Sequence, residues 1–128
     1  TGVEIDDTVI YLASKYVLDD LKSEVQLINA DAWNFVQLTE YRYDMICVDI
    51  FIDDKIPKIF LTSDFLEIIQ SNLTENGILL FNHLGMRQQD ADAAMQYHDE
   101  IFNKQFPNSV ALKVVDNYMM LNNRNHLK

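Results

Sequence analysis

Three acidic residues stand at the ends of short apolar segments that are typical of strands. Glu4 ends the first segment, Asp31 comes just after the second, and Asp49 directly follows the third. Ligands of an open parallel sheet bind outside the carboxyl ends of its strands. Aspartate is also common at helix caps and in turns. The three carboxylates therefore predict a ligand site, with helix capping as an about equally weighted alternative.

The chemistry predicted for Glu4 is the binding of a ribose. In nucleotide-binding α/β folds an acidic residue at this place accepts from the ribose hydroxyls, roughly 20 residues after a glycine-rich loop that passes under the ligand. Only Thr1 and Gly2 precede the segment here. We therefore expect a domain without its first strand and its glycine-rich loop, and we expect the chain by itself to be inactive.

Further candidates lie in the loops that follow the later strands. Asp53 and Asp54 come shortly after the third carboxylate, and Asn82 directly follows the next apolar segment. Asn82 is predicted to face the pocket, whereas His83 is expected to be an exposed loop residue. No pair of histidines or cysteines has the spacing of metal ligands, so no metal is predicted.

The single cysteine, Cys47, lies in a continuously apolar segment, residues 45–48. Such a run is typical of a strand covered on both faces. We therefore expect a buried, inert thiol there.

Helix-like and strand-like periodicity alternate along the chain. Helices are predicted over residues 9–17, 32–38, 63–76 and 90–104, and strands near residues 3–6 and over 25–29, 45–48, 78–81, 110–115 and 118–121. Asn76-Gly77 is predicted to end the third helix, because glycine tolerates the left-handed conformation just past a helix end.

The alternation of strands and helices predicts the fold class. It implies right-handed crossovers and a mostly parallel sheet. We predict an α/β, Rossmann-like fold with helices on both faces of the sheet, a C-terminal antiparallel hairpin and a missing first strand. Residues 1–128 are predicted to form one truncated domain.

The charge balance narrows the class of partner. The chain has 128 residues with 20 acidic and 10 basic groups, a formal net charge of −10. This excess disfavours nucleic acid as a partner, and an acidic cleft would suit a cationic small molecule. No apolar run approaches the roughly 20 residues that span a bilayer, and no signal pattern opens the chain. A cytoplasmic protein without a membrane partner is therefore expected.

Several segments resemble spermidine synthases and their relatives among the class I S-adenosylmethionine-dependent methyltransferases. Their order and spacing are similar to those of that group over nearly the whole chain, from the second strand of its sheet to the seventh. These segments are VEID at 3–6, NADA at 29–32, YDMICVD at 43–49, GILLF at 77–81 and NYMML at 117–121.

The resemblance implies a role for each candidate. Glu4 would hold the ribose hydroxyls, Asp31 would accept from the adenine amino group, and Ala32 would lie beside the base. Asp49 matches the catalytic aspartate that positions and helps deprotonate an amine such as putrescine. The donor would be decarboxylated S-adenosylmethionine, or S-adenosylmethionine itself in a methyltransferase. Asp53 and Asn82 are predicted to bind the small-molecule amine.

The residues after Asp49 depart from the family pattern. Two small polar residues, a second aspartate and a proline usually follow the catalytic aspartate, but Ile50-Phe51-Ile52 follow it here. Ile56-Pro57 and Leu61-Thr62 instead resemble a less characterised branch of spermidine-synthase-like proteins. Transfer of an aminopropyl group is the leading hypothesis, provided that the missing N-terminal part is present. Methyl transfer and a non-catalytic binding or assembly domain stay open.

The missing strand carries an expectation of its own. By the resemblance it lies at the centre of the sheet, between the strands that end at Glu4 and Asp49. Its absence would expose strand edges, which tend to pair with another chain. We therefore expect the chain to be stable only if the gap closes or if a further segment, such as a second copy in a homo-oligomer, fills it.

Overall fold

The computed structural model describes residues 1–127, which divide into two compact units, residues 1–39 and residues 40–127. Each unit has its own sheet. The single domain over residues 1–128 stays a prediction. Among residues 1–127, no helix combines the length and apolar character needed to cross a membrane.

The first unit is a parallel strand pair with two helices. Its elements are β1 (Gly2–Glu4), α1 (Asp7–Tyr16), a 3₁₀ turn (Leu18–Asp20), β2 (Leu27–Asn29) and α2 (Ala32–Leu38). In the parallel register Glu4 lies beside Asn29. The helix predicted over 9–17 is confirmed, and its first turn is capped by the Asp6 side chain, which accepts from the Thr8 amide at 2.8 Å. Among residues 1–39, all of them described, none is buried.

The second unit holds a four-stranded sheet in the order β3-β4-β6-β5. Its elements are β3 (Tyr43–Val48), a 3₁₀ turn (Lys58–Leu61), α3 (Ser63–Ser71), β4 (Leu73–Leu84), α4 (Gln88–Tyr97), a π-helical turn (His98–Phe102), α5 (Asn103–Gln105), β5 (Val110–Val114), β6 (Asn117–Leu121) and a final 3₁₀ turn (Arg124–Leu127).

The strand directions confirm the α/β class and the C-terminal hairpin. β3 and β4 run parallel, whereas β6 is antiparallel to both β4 and β5. The hairpin turns at Val115, whose φ of 53° lies in the left-handed region. Val115 was expected to belong to the strand and lies instead in the turn.

The core of the second unit lies between one face of this sheet and helices α3 and α4. Burial of these apolar side chains is the main favourable term for the fold. The fully buried set is Phe65, Leu66, Ile69, Leu79, Phe81, Ala94, Phe102 and Met120.

The expectation that β3 is covered on both faces is wrong. Met45 is 51% exposed, and Cys47 is exposed as well, so the thiol is not buried. Side chains alternate between the two faces of a strand, so Val48 lies on the opposite face and is buried. Within the described residues β3 pairs only with β4, which makes it an edge strand. A continuous apolar run therefore did not distinguish a central strand from an edge strand.

The predicted end of the third helix is also wrong. α3 ends at Ser71, and Asn76-Gly77 lies inside the long strand β4. No glycine in the described residues has a positive φ. Gly77 instead allows a close approach, because a Cβ there would lie 3.0 Å from the Thr74 carbonyl oxygen and 2.9 Å from the Leu73 side chain. The register between β3 and β4 shifts just before this point, between Tyr43 and Met45.

His83 is a third correction. The sequence favoured an exposed loop histidine, but His83 lies within β4 and is buried. Its Nδ1 lies 2.9 Å from the Leu84 carbonyl oxygen, and its ring packs 6.1 Å from the Tyr97 ring. Strand β4 extends beyond the apolar segment 78–81, which is why the residues after that segment are not in a loop.

Candidate active site

Glu4 ends β1 with one carboxylate oxygen engaged and one without a partner. Its Oε1 accepts from the Asp6 amide at 2.9 Å, which holds the side chain against the turn into α1. The neighbouring Asn29 donates to the Glu4 and Ile5 carbonyl oxygens at 3.1 and 3.0 Å. Within residues 1–127 the second oxygen, Oε2, has no hydrogen bond. Glu4 can therefore accept from a ligand without losing the contact that orients it.

Asp31 caps a helix with one carboxylate oxygen and leaves the other oxygen open. It is the N-cap of α2, since its Oδ1 accepts from the Trp33 amide at 2.7 Å and the Asn34 amide at 3.4 Å. Its Oδ2 has no partner among the described residues. Ala32 is the first residue of the helix and is half-buried. Capping thus fixes the carboxylate without occupying all of it.

Asp49 and Asn82 come together in the second unit. The parallel register pairs Val48 with Phe81, so Asp49, the first residue after β3, lies beside Asn82. Asn82 was expected in a loop after its strand, but it lies inside β4, which continues to Leu84. Asn82 Nδ2 donates to Asp49 Oδ1 at 2.8 Å. Asp49 is exposed, whereas Asn82 is half-buried. The amide therefore orients a carboxylate that solvent can reach.

This hydrogen bond also fixes which way the Asn82 amide points. A carboxylate can only accept, so the NH₂ group must face Asp49 and the carbonyl must face away. Asn82 Oδ1 is buried and has no hydrogen-bond partner in the described part of the chain. A buried acceptor without a partner costs about 1–3 kcal/mol, which a donor from a ligand would recover.

Asp53 lies in a tight turn beyond Asp49. The Ile52 and Lys55 backbones bond reciprocally, with N–O distances of 2.8 and 3.1 Å, and Asp53 between them has a φ of 55°. Aspartate tolerates this left-handed conformation better than most residues. Within residues 1–127 the Asp53 side chain has no ion pair or hydrogen bond, so its carboxylate stays available.

A different cluster looks catalytic by distance but is structural. His98 Nδ1 lies 2.8 Å from Asp99 Oδ1, and His98 Nε2 lies 3.2 Å from the Ser109 hydroxyl. Ser109 is only 1% exposed and donates to Asn103 Oδ1 at 2.9 Å. No substrate can reach such a hydroxyl, so the cluster fixes the connection into β5. The expectation that His98 is packed and hydrogen-bonded is confirmed.

Sequence reasoning missed one residue near the site, Arg87, which joins the loop after β3 to the start of α4. A basic residue directly before a helix with an aspartate three positions later was the available signal. No group of histidine, cysteine and acidic side chains that could hold a metal ion occurs within the described residues.

The family follows from the sequence as a whole. Residues 1–120 match the spermine/spermidine synthase domain. The chain belongs to this family. It is 29% identical over 82 residues to a probable polyamine aminopropyl transferase of Bifidobacterium longum. That similarity covers 64% of this chain but 18% of the relative, so the chain spans less than a fifth of the relative's length.

Several solved structures have the same fold as this spermine/spermidine synthase domain. Human methyltransferase-like protein 13 in complex with SAH is similar with a TM-score of 0.73 at 19% identity, over 93% of this chain and 58% of that one. A probable spermidine synthase from Corynebacterium glutamicum is similar with a TM-score of 0.65 at 20% identity, over 93% of this chain and 44% of that one. The chain therefore has the fold shared by spermidine synthases and class I S-adenosylmethionine-dependent methyltransferases.

Proposed function

We propose that this chain is the core of a transferase that moves an aminopropyl group from a sulfonium nucleoside to an amine. The observation that carries the proposal is the hydrogen bond from Asn82, inside β4, to Asp49 at the carboxyl end of the parallel strand β3. It presents an oriented, solvent-accessible carboxylate at the edge of the sheet where ligands bind in open α/β folds. Membership of the spermine/spermidine synthase family supports the substrate class.

The proposed reaction is a substitution at carbon. The nitrogen lone pair of the amine forms a bond to the carbon beside the sulfonium, and the C–S bond breaks with its electron pair going to sulfur. The products are a neutral thioether nucleoside and a substituted ammonium, which then releases a proton. Sulfur is already a good leaving group, so alignment of the two partners supplies much of the rate.

Asp49 has two tasks in this scheme. An alkylammonium is protonated at pH 7 and has no lone pair with which to attack. A carboxylate within hydrogen-bond reach first holds the cation and then assists the loss of its proton. Asp49 Oδ1 already accepts from Asn82, so Oδ2 and the orphaned Asn82 Oδ1 are the two acceptors left for the N–H groups of the amine.

The nucleoside contacts are proposed for the first unit. Glu4 Oε2 would accept from the ribose hydroxyls and Asp31 Oδ2 from the adenine amino group, with the small side chain of Ala32 beside the base. Each carboxylate is held by its other oxygen, so binding would require little reorganisation. The donor proposed is decarboxylated S-adenosylmethionine.

The amine site can be tested on the chain by NMR titration with putrescine. We expect shifts at the Asn82 side-chain amide and at the amides next to Asp49. Asp49→Asn should weaken binding about tenfold or more, because hydrogen bonds to a charged group contribute roughly 1.5–3 kcal/mol. Asp64→Asn, in the first turn of α3, removes the same charge and should leave the affinity unchanged. Equal affinity of the Asp49→Asn variant would contradict the role of Asp49.

Methyl transfer is the second candidate. The fold shared with a methyltransferase supports it, whereas the bulky Ile50-Phe51-Ile52 after Asp49 favour a non-catalytic binding or assembly domain. The donor distinguishes methyl transfer from aminopropyl transfer, since a methyltransferase consumes intact S-adenosylmethionine. The chain spans a small part of its relative's length, so the proposed activity belongs to a longer protein. That the isolated chain is inactive stays a prediction. A non-catalytic binding or assembly domain is favoured if neither an amine nor an adenosyl sulfonium binds.

A further inference from the structure

The loop after β3, residues 49–57, is tied at its tip to the start of α4. Arg87 is the residue directly before α4, and its Nη2 lies 3.1 Å from Asp54 Oδ2. Asp54 sits next to Asp53 inside the turn that the Ile52 and Lys55 backbones close. The tip is therefore held both by its own turn and by an ion pair to the segment that follows β4.

Arg87 is itself held in place by Asp90. Its Nε lies 2.8 Å from Asp90 Oδ2, its Nη2 lies 3.2 Å from Asp90 Oδ1, and its backbone amide donates to Asp90 Oδ2 at 3.1 Å. A guanidinium held by two parallel hydrogen bonds has a defined orientation, unlike a surface arginine without partners. The Asp90 hydrogen bond raises the pKa of Arg87, and the reciprocal contact lowers the pKa of Asp90.

The two neighbouring carboxylates of the turn thus differ in their surroundings. Asp54 is paired with Arg87, whereas Asp53 has no ion pair within residues 1–127. A cationic ligand would break no ion pair at Asp53, but it would have to displace a fixed guanidinium at Asp54. This difference exists although both residues are aspartates in adjacent positions.

We propose that Arg87 is a positioning residue for the turn at the tip of this loop. Its ion pair with Asp54 anchors the loop, and Asp53 is the carboxylate of the turn that is left to bind the distal cation of an amine substrate. The anchoring half stands on the contacts of the loop, whereas the assignment of Asp53 rests on the proposed function. The anchor holds the tip of the loop that begins at Asp49, four residues before Asp53.

Amide hydrogen exchange at Ile52 and Lys55 tests the anchor without any ligand. Both amides are bonded only within the turn, so their exchange reports its opening. Asp54→Asn should speed their exchange about two- to fivefold, the range that an exposed ion pair supports. High salt should do the same in the wild type and should have little further effect in the variant.

Asp53→Asn is the matched control, because it removes the same charge from the adjacent residue. Asparagine readily adopts the left-handed conformation found at this position, so the turn should close as before. Exchange at Ile52 and Lys55 should therefore stay at the wild-type rate. Equal acceleration by both variants, or by neither, would overturn the anchor. Arg87→Lys, which keeps the charge, should restore part of the protection that Arg87→Gln loses.

Putrescine binding tests the other half. Asp53→Asn should weaken binding at any ionic strength, whereas Asp54→Asn should weaken it less than Asp53→Asn does. Equal or greater loss in Asp54→Asn would overturn the division of roles. If the wild type binds no amine, the proposed function and the assignment of Asp53 fail together, while the exchange data still decide whether Arg87 anchors the loop.

Discussion

At the scale of single residues, three of the candidate carboxylates are held by one oxygen and open at the other. Glu4 and Asp31 each accept backbone N–H groups with one oxygen, and Asp49 accepts from Asn82. A side chain fixed in this way loses little freedom when a ligand binds. The structural contact of each residue therefore leaves an oriented oxygen for the proposed ligand.

Tyr97 offers a test of how this chain tolerates an unmet polar group. Its hydroxyl is buried and has no partner among the described residues, and the residue is 6% exposed. Tyr97→Phe removes the hydroxyl and keeps the ring that packs on Phe81 and Phe102. We expect the free energy of unfolding to rise by between about 0 and 1 kcal/mol. Denaturant unfolding measures it, and a clear loss of stability would reveal a partner for the hydroxyl.

The same residue predicts a pH dependence. Burial raises the pKa of Tyr97 above its ordinary value of 10.0, so the folded state favours the neutral phenol. The unfolded chain releases this proton more readily, so stability should be complete below pH 10 and should fall as the pH rises above it. Tyr97→Phe should reduce that alkaline loss. An unchanged slope between pH 9 and 11 (roughly the range over which a free tyrosine titrates) would contradict the assignment.

At the scale of elements, the sequence predicted helices better than strand environments. Aspartate and threonine are typical of helix starts, and Asp6, Asp31 and Thr62 all serve as N-caps. Local chemistry suffices there, because a cap contacts amides two or three residues away. The coverage of β3 and the length of β4 depend on neighbours distant in sequence. That is why Cys47 was predicted to be buried but is exposed, and His83 was predicted to be exposed but is buried.

Only part of the candidate site could be predicted from the sequence. The position of Asp49 at a strand end could be predicted from an apolar segment followed by a polar residue, whereas Asn82 lies inside β4 and not after its end. Their hydrogen bond could not be predicted, because it depends on the register between β3 and β4, which includes a shift near Tyr43. The ion pair of Arg87 with Asp54 joins residues 33 positions apart and left no periodic signal.

Gly77 tests the packing of β4. An added Cβ would lie 3.0 Å from the Thr74 carbonyl oxygen, and backbone cannot move aside as a flexible side chain can. Gly77→Ala should therefore destabilise the chain by about 1–3 kcal/mol in denaturant unfolding. Gly2→Ala is the control, since its new Cβ would meet only the end of the Leu27 side chain at 3.0 Å. Equal effects of the two changes would contradict this account.

At the scale of the whole molecule, the strand edges predict association. Within the described residues β1 pairs only with β2 and β3 only with β4, so each keeps one unpaired edge. Such edges bind other strands. We expect a concentration-dependent mass in sedimentation equilibrium, increasing with salt because the net charge of −10 opposes association. A stable monomer at all concentrations would contradict the expected homo-oligomer.

The proposed binding of a thioether nucleoside through Glu4 and Asp31 is tested most directly by calorimetric titration with 5′-methylthioadenosine. Asp31→Asn can keep its cap through Oδ1 but turns the free oxygen into an NH₂ donor, which cannot accept from the adenine amino group. Asp6→Asn makes the same change in charge and preserves a cap outside the proposed site.

We expect binding by the wild type and by Asp6→Asn, with affinity about tenfold lower in Asp31→Asn and in Glu4→Gln. Absence of binding by the wild type, or equal affinity in all four proteins, would contradict the proposed nucleoside site.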